Sequence, residues 1–297
     1  MITVRHYRWP DDFEAVGSFL KQNMGERILS TNWTQARWEY MHYHPYIKYD
    51  ELHRIGIFLD GGEIVGVIHH EHTLGEVYTE VKRGYEYLRE DMISYAEEHL
   101  SVETKTKHQR LRVYVNDFDE ETIALMKRLG YHLKRPVAEP ISVYTITKSF
   151  RPVPLPEGFS LVGLNKDDDF CKLDRLLWRG FNHEGEPPKS GVEGMKLMQS
   201  SPHYNKELNI VVQNEMHHYC AYAGIWYDDV NKLGYIEPVC TDPDYRRMGL
   251  GRAAVLEGIM RCKSLGATIA KVGSNQPFYL SIGFKEIYSR ELWSKTW

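Results

Sequence analysis

The chain has 297 residues, 42% hydrophobic and 26% charged, an ordinary soluble composition that is enough for one large or two ordinary domains. The net charge of −4 gives no support for a nucleic acid or an anionic membrane as a partner, and no apolar run approaches transmembrane length. The N-terminus lacks a signal-peptide pattern and the four cysteines lack C-x-x-C spacing, so we expect a cytoplasmic protein.

The first half of the chain begins with a predicted β-hairpin. Two runs rich in β-branched residues, 54–59 and 63–70, flank the turn sequence Asp60-Gly61-Gly62. Strand and helix patterns then alternate up to Gly130-Tyr131. The predicted strands are 75–81 and 110–115, and the predicted helices are 84–100 and 119–129.

A proline-rich segment divides the chain almost in half. Residues 151–158 carry three prolines at alternating positions, which is typical of a stiff, extended connector between domains. We therefore predict two domains, at 1–150 and 151–297.

The second half opens with an amphipathic helix over 167–180 and then repeats the order of elements seen in the first. This order indicates a diverged internal duplication. The predicted strands are 208–213, 219–227, 234–241, 268–272 and 285–288, and the predicted helices are 252–263 and 276–282.

A basic, glycine-rich loop follows the third of these strands. In Arg246-Arg247-Met248-Gly249-Leu250-Gly251-Arg252, two glycines let backbone N–H groups approach an anion closely, and a helix begins at the same place. The arginines add charge-assisted donors. A Walker loop would need Gly-Lys-Ser/Thr, and a dinucleotide loop would need Gly-x-Gly-x-x-Gly directly after the strand. We therefore predict a pyrophosphate site of another kind.

The pattern Arg246-x-x-Gly249-x-Gly251 resembles the acetyl-CoA loop of the GNAT acetyltransferase superfamily. Asn275 and Tyr279-x-x-x-Gly283-Phe284 resemble the family's second motif, and the resemblance is strong over residues 208–290. It implies acetyl-CoA as co-substrate. The residues it assigns to acetyl-CoA binding are Val239, Cys240, Thr241, Arg246, Arg247, Met248, Gly249, Leu250, Gly251, Arg252 and Asn275.

The resemblance also implies an α/β fold of two tandem GNAT-like domains, each a mixed, mostly antiparallel sheet flanked by helices. The first copy lacks the chemistry, because Lys82–Leu88 contains one glycine and Met126 stands where the second copy has Tyr279. We expect residues 1–150 to keep the fold without catalysis.

Glu237 and Tyr279 are the candidate catalytic residues. By the period of two, Glu237 should share a strand face with Val239 and Thr241, where a carboxylate can take the amine proton directly or through water. Pro238 inside a strand predicts a bulge or splay that would admit the pantetheine arm. The resemblance implies that Tyr279 lies near the thioester sulfur as the acid. The alternatives are an ion pair for Glu237, a packed aromatic for Tyr279 and a helix cap for Asn275.

Candidate acceptor-binding residues follow the first helix of the second half and line its strands. They are His183, Glu184, Trp226 and Tyr227. A solvated turn or core packing would explain them as well. Cys240 lacks an adjacent base and is better explained as a buried free thiol. His70 and His72 share a strand face, but no ligand set accompanies them, so we predict no metal site.

These patterns predict an N-acetyltransferase that moves the acetyl group directly to a small-molecule amine in a ternary complex, as a monomer or a homodimer. Two alternatives stay open. The acceptor could be a protein or an aminoglycoside-like amine, or the protein could be a CoA-binding sensor without catalysis.

Overall fold

The structure is a computed structural model that describes residues 1–24, 33–147, 154–188 and 190–297. Contacts divide the chain into two units. Unit 1 comprises Met1–Met41, Tyr46–Ile141 and Glu286–Trp297, and unit 2 comprises His42–Pro45 and Ser142–Lys285. Residues 151–153 of the predicted connector lie outside the described residues.

Unit 1 is an antiparallel sheet in the order β1-β2-β3-β4, followed by a parallel pair of β4 with β6. Its strands are β1 Ile2–His6, β2 Gly56–Asp60, β3 Glu63–His69, β4 Glu76–Val81, β5 Val102–Glu103 and β6 Gln109–Asn116. Its helices are α1 Phe13–Asn23, α2 Gln35–His42, α3 Arg89–His99 and α4 Glu120–Arg128. The strand β7, His132–Thr145, begins in this unit.

Unit 2 has the same plan. The strands β8 to β11 form antiparallel pairs in chain order, and β11 pairs in parallel with β12. The elements of this unit are β8 Phe159–Gly163, α5 Phe170–Gly180, α6 Gly191–Gln199, β9 Ile210–Asn214, β10 Tyr219–Asp228, β11 Leu233–Thr241, α7 Leu250–Ser264, β12 Ile269–Val272 and α8 Pro277–Ile282. The last strand of the chain is β13, Lys285–Thr296. The predicted fold class is therefore confirmed.

The two units also repeat a local turn. At Gly130-Tyr131 the tyrosine N–H donates to the Met126 carbonyl (2.9 Å), and at Gly283-Phe284 the phenylalanine N–H donates to the Tyr279 carbonyl (3.2 Å). Both glycines have positive φ, +81° and +119°, which lets the chain leave the helix without a Cβ clash. This shared turn supports the internal duplication and places Met126 where the second copy has Tyr279.

The sequence pattern did not predict which strand completes each unit. Residues 290–296 of β13 pair with β6 inside unit 1, whereas residues 142–145 of β7 pair with β12 inside unit 2. Each unit therefore takes its last strand from the other half of the chain. The boundaries predicted at 1–150 and 151–297 followed the connector and did not anticipate this exchange.

Unit 2 is packed closely where α7 crosses the sheet. The helix buries nine residues, including Leu250, Ala254 and Ile259, against an apolar cluster on β9 to β12. A Cβ at Gly258 would lie 2.4 Å from Ile225 Cδ1, so a larger residue here would require the Ile225 side chain to shift. The close packing fixes where the N-terminus of α7 lies.

A buried ion cluster holds β13 in unit 1. Glu139 accepts hydrogen bonds from Arg290 Nη1 (2.7 Å) and from Arg37, and the Arg290 side chain is 1% exposed. Burial opposes ionisation of Glu139, but the two guanidinium groups outweigh it and hold the pKa of this carboxyl at about 2.

Glu139→Gln should lower the free energy of unfolding by about 3 kcal/mol at neutral pH, because it leaves buried guanidinium charge unpaired. The pKa of Glu139 is lower in the folded state, so its contribution is complete above about pH 5 and is lost as the pH falls toward 2. Urea unfolding of parent and variant at pH 7 and pH 3 measures both effects.

Glu63→Gln is the control, because it breaks the exposed pair with Lys82 and should change stability by less than about 0.5 kcal/mol. An equal difference between Glu139→Gln and the parent at both pH values would contradict the ion-cluster account.

Candidate functional site

The strands β11 and β12 separate in the middle of unit 2. Their parallel register runs from Leu233 opposite Ile269 to Tyr235 opposite Lys271 and ends there. Beyond that point β12 stops at Val272, while β11 continues to Thr241 paired with β10. A wedge therefore opens beside the last residues of β11.

A bulge begins this opening. The β10–β11 register passes from Ile225 opposite Ile236 to Ala223 opposite Val239, so Gly224 alone faces Glu237 and Pro238. A Cβ at Gly224 would lie 2.8 Å from the Glu237 carbonyl oxygen, which explains the glycine. The bulge predicted from Pro238 is confirmed.

The same bulge overturns the predicted position of Glu237. Ile236 belongs to the apolar cluster under α7 and Val239 packs against that cluster, although the two lie three positions apart. Glu237 instead receives a hydrogen bond from Tyr235, two positions before it (Oη to Oε2, 3.4 Å). Its predicted shared face with Val239 and Thr241 was wrong, because the extra residue of the bulge reverses the alternation.

The glycine-rich loop leads directly into α7. Gly249 is the N-cap in the left-handed conformation (φ +81°), and Arg247 before it also has positive φ (+63°). The helix begins at Leu250, two residues before the predicted start. A Cβ at Gly251 would lie 2.8 Å from Thr241 Oγ1, so the helix end lies against the end of β11. The first backbone N–H groups of α7 therefore face this end of the wedge.

The arginines of the loop have different roles. Arg246 donates to the carbonyls of Thr241 (3.2 Å) and Gly180 (3.0 Å) and to Asn182 Oδ1 (2.7 Å). These bonds hold the loop to the end of α5. Arg247 and Arg252 are exposed, and neither side chain has a hydrogen bond or ion pair with any other described residue. Their charges are therefore available to an anion.

An ion pair between Arg179 and Asp242, which the sequence analysis missed, shapes the turn after β11. Asp242 accepts from Arg179 Nε (2.6 Å) and from the Asp244 N–H (3.0 Å). Burial raises the pKa of Asp242, but its hydrogen bonds to Arg179 and the Asp244 N–H outweigh burial and lower it. The carboxylate therefore stays ionised and fixes the entry to the loop. The partners are more than 60 residues apart, which no local pattern reveals.

Tyr279 lies on α8 beside the same opening. It is 8% exposed, and its ring packs on Phe278 and Phe284. Burial, and then the charges of Glu237 and Cys240, raise its pKa, so the phenol keeps its proton at neutral pH. Its hydroxyl makes no hydrogen bond within the described part of the chain. Glu237 contributes to the pKa shift of Tyr279, so the two predicted catalytic side chains lie within electrostatic range of each other.

Other predicted donor-site residues are placed as follows. Asn275 is half-buried. The N-cap of α8 is Gln276, one residue later, so Asn275 is not the N-cap residue. Met248 is 41% exposed in the loop. Cys240 is buried, its thiol lies 3.8 Å from the Leu176 carbonyl, and burial raises its pKa, all of which disfavours a nucleophilic role.

Three of the four predicted acceptor-binding residues lie on the α5 side of the sheet or on the loop after α5. His183 stacks on Trp178 (ring centroids 4.3 Å apart), and Trp178 Nε1 donates to the Glu184 carbonyl (3.1 Å). Trp226 donates from Nε1 to the Glu237 carbonyl (3.0 Å). Tyr227 is not brought to this group.

Tyr227 lies toward the opposite end of β11. It is paired with Gly234 near the start of that strand, and its hydroxyl donates to the Leu265 carbonyl (2.7 Å) between α7 and β12. The α5 side of the sheet also carries Tyr235, which the sequence analysis missed, and Tyr204, whose ring packs edge-on against Trp226 (5.5 Å). The sequence signal that could have identified Tyr235 is its position two residues before Glu237.

The described ranges offer no candidate for a metal site or a membrane span. No three His, Cys, Asp or Glu side chains within these ranges are arranged to hold a metal ion. None of the helices in the same ranges has both the length and the apolar character needed to cross a bilayer.

Comparison with known proteins gives a family match for part of the chain. Residues 172–284 match the Acetyltransferase (GNAT) family. A GCN5-related N-acetyltransferase from Sphaerobacter thermophilus is similar in structure (15% identity, 99% of this chain and 95% of that chain, TM-score 0.61). So is a tandem GNAT protein from the clavulanic acid biosynthesis pathway (13% identity, 100% and 98%, TM-score 0.65). No curated protein matches the chain in sequence.

The chain as a whole therefore has the tandem GNAT fold, and residues 172–284 carry the match to the GNAT acetyltransferase family. Proteins of this family bind acetyl-CoA as a co-substrate and transfer its acyl group, which supports the same general activity for this chain.

Gly249→Asp should weaken acetyl-CoA binding at least tenfold, about 1.4 kcal/mol, because it adds negative charge where the pyrophosphate is expected. Gly249→Asn is the matched control: it has the same shape, it tolerates the left-handed conformation and it adds no charge. Titration calorimetry measures both affinities, and equal affinity in the two variants would contradict an anion site at this loop.

Proposed function

We propose that the chain is a cytoplasmic, acetyl-CoA-dependent N-acetyltransferase that acts on the primary amine of a small molecule by direct transfer in a ternary complex. One observation carries the proposal: the strand opening beside β11 ends at the glycine-rich loop, and Glu237 and Tyr279 lie within electrostatic range of each other there. A base, an acid and an anion site on one opening are the parts that acetyl transfer to an amine requires.

The donor side consists of the loop, the start of α7 and the end of β11. Arg247, Arg252 and the N–H groups that follow Gly249 would hold the pyrophosphate. The backbone of Val239–Thr241 would hold the pantetheine arm and supply an N–H to the oxyanion. Arg246 acts indirectly by fixing the loop to α5.

The acid and the base have separate tasks. Glu237 accepts the proton of the attacking amine, directly or through an ordered water, so that the nitrogen lone pair is free to attack the thioester carbonyl. The C–N bond forms as the C–S bond breaks. Tyr279 gives its proton to the leaving thiolate, and its raised pKa suits a group that must be protonated beforehand.

The acceptor would lie on the α5 side of the sheet. Trp226 is there, and the loop that carries His183 and Glu184 extends from the end of α5. Aromatic rings beside a carboxylate favour an amine, because both attract an ammonium group before it loses its proton. Tyr227 is left out of this proposal because of its position near the start of β11.

The first copy is proposed to be inactive. Gly84 is the only glycine of its loop, and Met126 is fully buried in the core of unit 1 where the second copy has Tyr279. A thioether cannot donate a proton, so this position offers no acid.

A panel of amines tests the substrate class. Acetyl-CoA is incubated with small primary amines, an aminoglycoside and lysine peptides, and the acetylated product is detected by mass. The proposal expects transfer to small amines. Transfer only to the peptides or only to the aminoglycoside would assign the acceptor to that class. Acetyl-CoA binding without transfer to any amine would indicate a sensor.

Tyr279→Phe removes only a hydroxyl, so the fold and CoA affinity should be kept while turnover of the best amine falls about 10²-fold. Steady-state kinetics with calorimetry checks both. Turnover within about twofold of the parent would assign Tyr279 to core packing.

Glu237→Gln keeps size and hydrogen bonding but removes basicity. Turnover should fall about 10²-fold or more, and the acidic limb of the pH–rate profile should be displaced or lost. An ion-pair role predicts a lower thermal midpoint with an unchanged pH profile, so measuring both on the same variant separates the two roles.

A further inference from the structure

We infer that Tyr235 is a positioning residue for Glu237: its hydroxyl donates to the carboxylate, keeps it ionised and aims it toward the opening between β11 and β12. The inference rests on the proposed function, in which Glu237 takes the proton of the amine.

The contact that carries the inference is local to β11. Tyr235 Oη lies 3.4 Å from Glu237 Oε2, and the two residues stand two positions apart just before the bulge reverses the alternation. The Tyr235 side chain is 4% exposed, so its hydroxyl is held in place by packing. At 3.4 Å the bond is long and correspondingly weak, but its acceptor is a charged group.

The backbone of Glu237 is anchored separately. Trp226 Nε1 donates to its carbonyl oxygen at 3.0 Å, and Trp226 is paired directly with Tyr235 across β10 and β11. Two aromatic side chains thus hold Glu237. Tyr235 binds its carboxylate, and Trp226 binds its main-chain carbonyl.

The chemical consequence follows from where Glu237 lies. A half-buried carboxylate that loses a hydrogen-bond donor takes up a proton more readily, and a protonated carboxyl cannot serve as a base. Among the described residues, the titratable groups near Glu237 include Tyr279 on α8, Tyr235 and Cys240 on β11, and Lys271 on β12, which is paired with Tyr235. Tyr279 and Cys240 are neutral near pH 7, and Tyr235→Phe leaves Lys271 in place.

Carbon-13 NMR of protein labelled at the glutamate carboxyl carbon tests this without an acceptor amine. The Glu237 signal is identified by its loss in Glu237→Gln. In Tyr235→Phe its titration midpoint should rise by about half a pH unit or more. The acidic limb of the pH–rate profile should move by the same amount in the amine assay.

Trp226→Phe is the matched control, because it removes a hydrogen bond to the Glu237 backbone and leaves the carboxylate bond. It should lower the thermal midpoint without moving the Glu237 titration. Replacing Tyr235 by 3,5-difluorotyrosine strengthens the donor and should lower the midpoint, which gives a second test should Tyr235→Phe fold poorly.

An unchanged midpoint in the Tyr235 variants, or an equal shift in Trp226→Phe, overturns the inference. Its failure is distinguishable from failure of the proposed function. Loss of the base role appears as normal turnover in Glu237→Gln, whereas the Tyr235 contact is measured by the carboxyl titration itself.

Discussion

The bulge at Glu237–Pro238 is the constraint on which the rest of the site depends. Two residues of β11 oppose the single residue Gly224, and the pairing of β11 with β12 has already ended at Tyr235. The bulge turns Glu237 to the α5 side and Val239 to the α7 side. Under the proposed function, acceptor chemistry and donor binding therefore use opposite faces of one strand, whereas with regular alternation Glu237 and Val239 would share a face.

The loop after β11 depends on that strand for its position. Arg179 holds Asp242, and Arg246 spans from Thr241 to the end of α5, so fixed charges and carbonyls keep the loop against the end of α5. Of the three loop arginines, Arg247 and Arg252 have no partner among the described residues. The basic loop is thus partly a structural brace, and its two remaining arginines support the proposed anion site, a distinction that composition alone does not make.

The local parts of the fold were predictable and the long-range parts were not. Gly249 and Gly251 are needed by a turn and a close helix contact within their own segment, so their spacing indicated the loop correctly. The face of Glu237 was predicted wrongly, because one inserted residue reverses a period of two. The exchange of β7 and β13 between the units depends on pairing partners over 100 residues away in sequence, and it leaves no mark in local periodicity.

Hydrogen exchange of the whole chain with and without acetyl-CoA tests the central claim, that one functional donor site exists and lies in unit 2. The account predicts slower amide exchange in residues 239–252 and around Tyr279, with no protection in the loop at Lys82–Leu88 of unit 1. Protection in the unit 1 loop, or none in residues 239–252 at saturating acetyl-CoA, would contradict it.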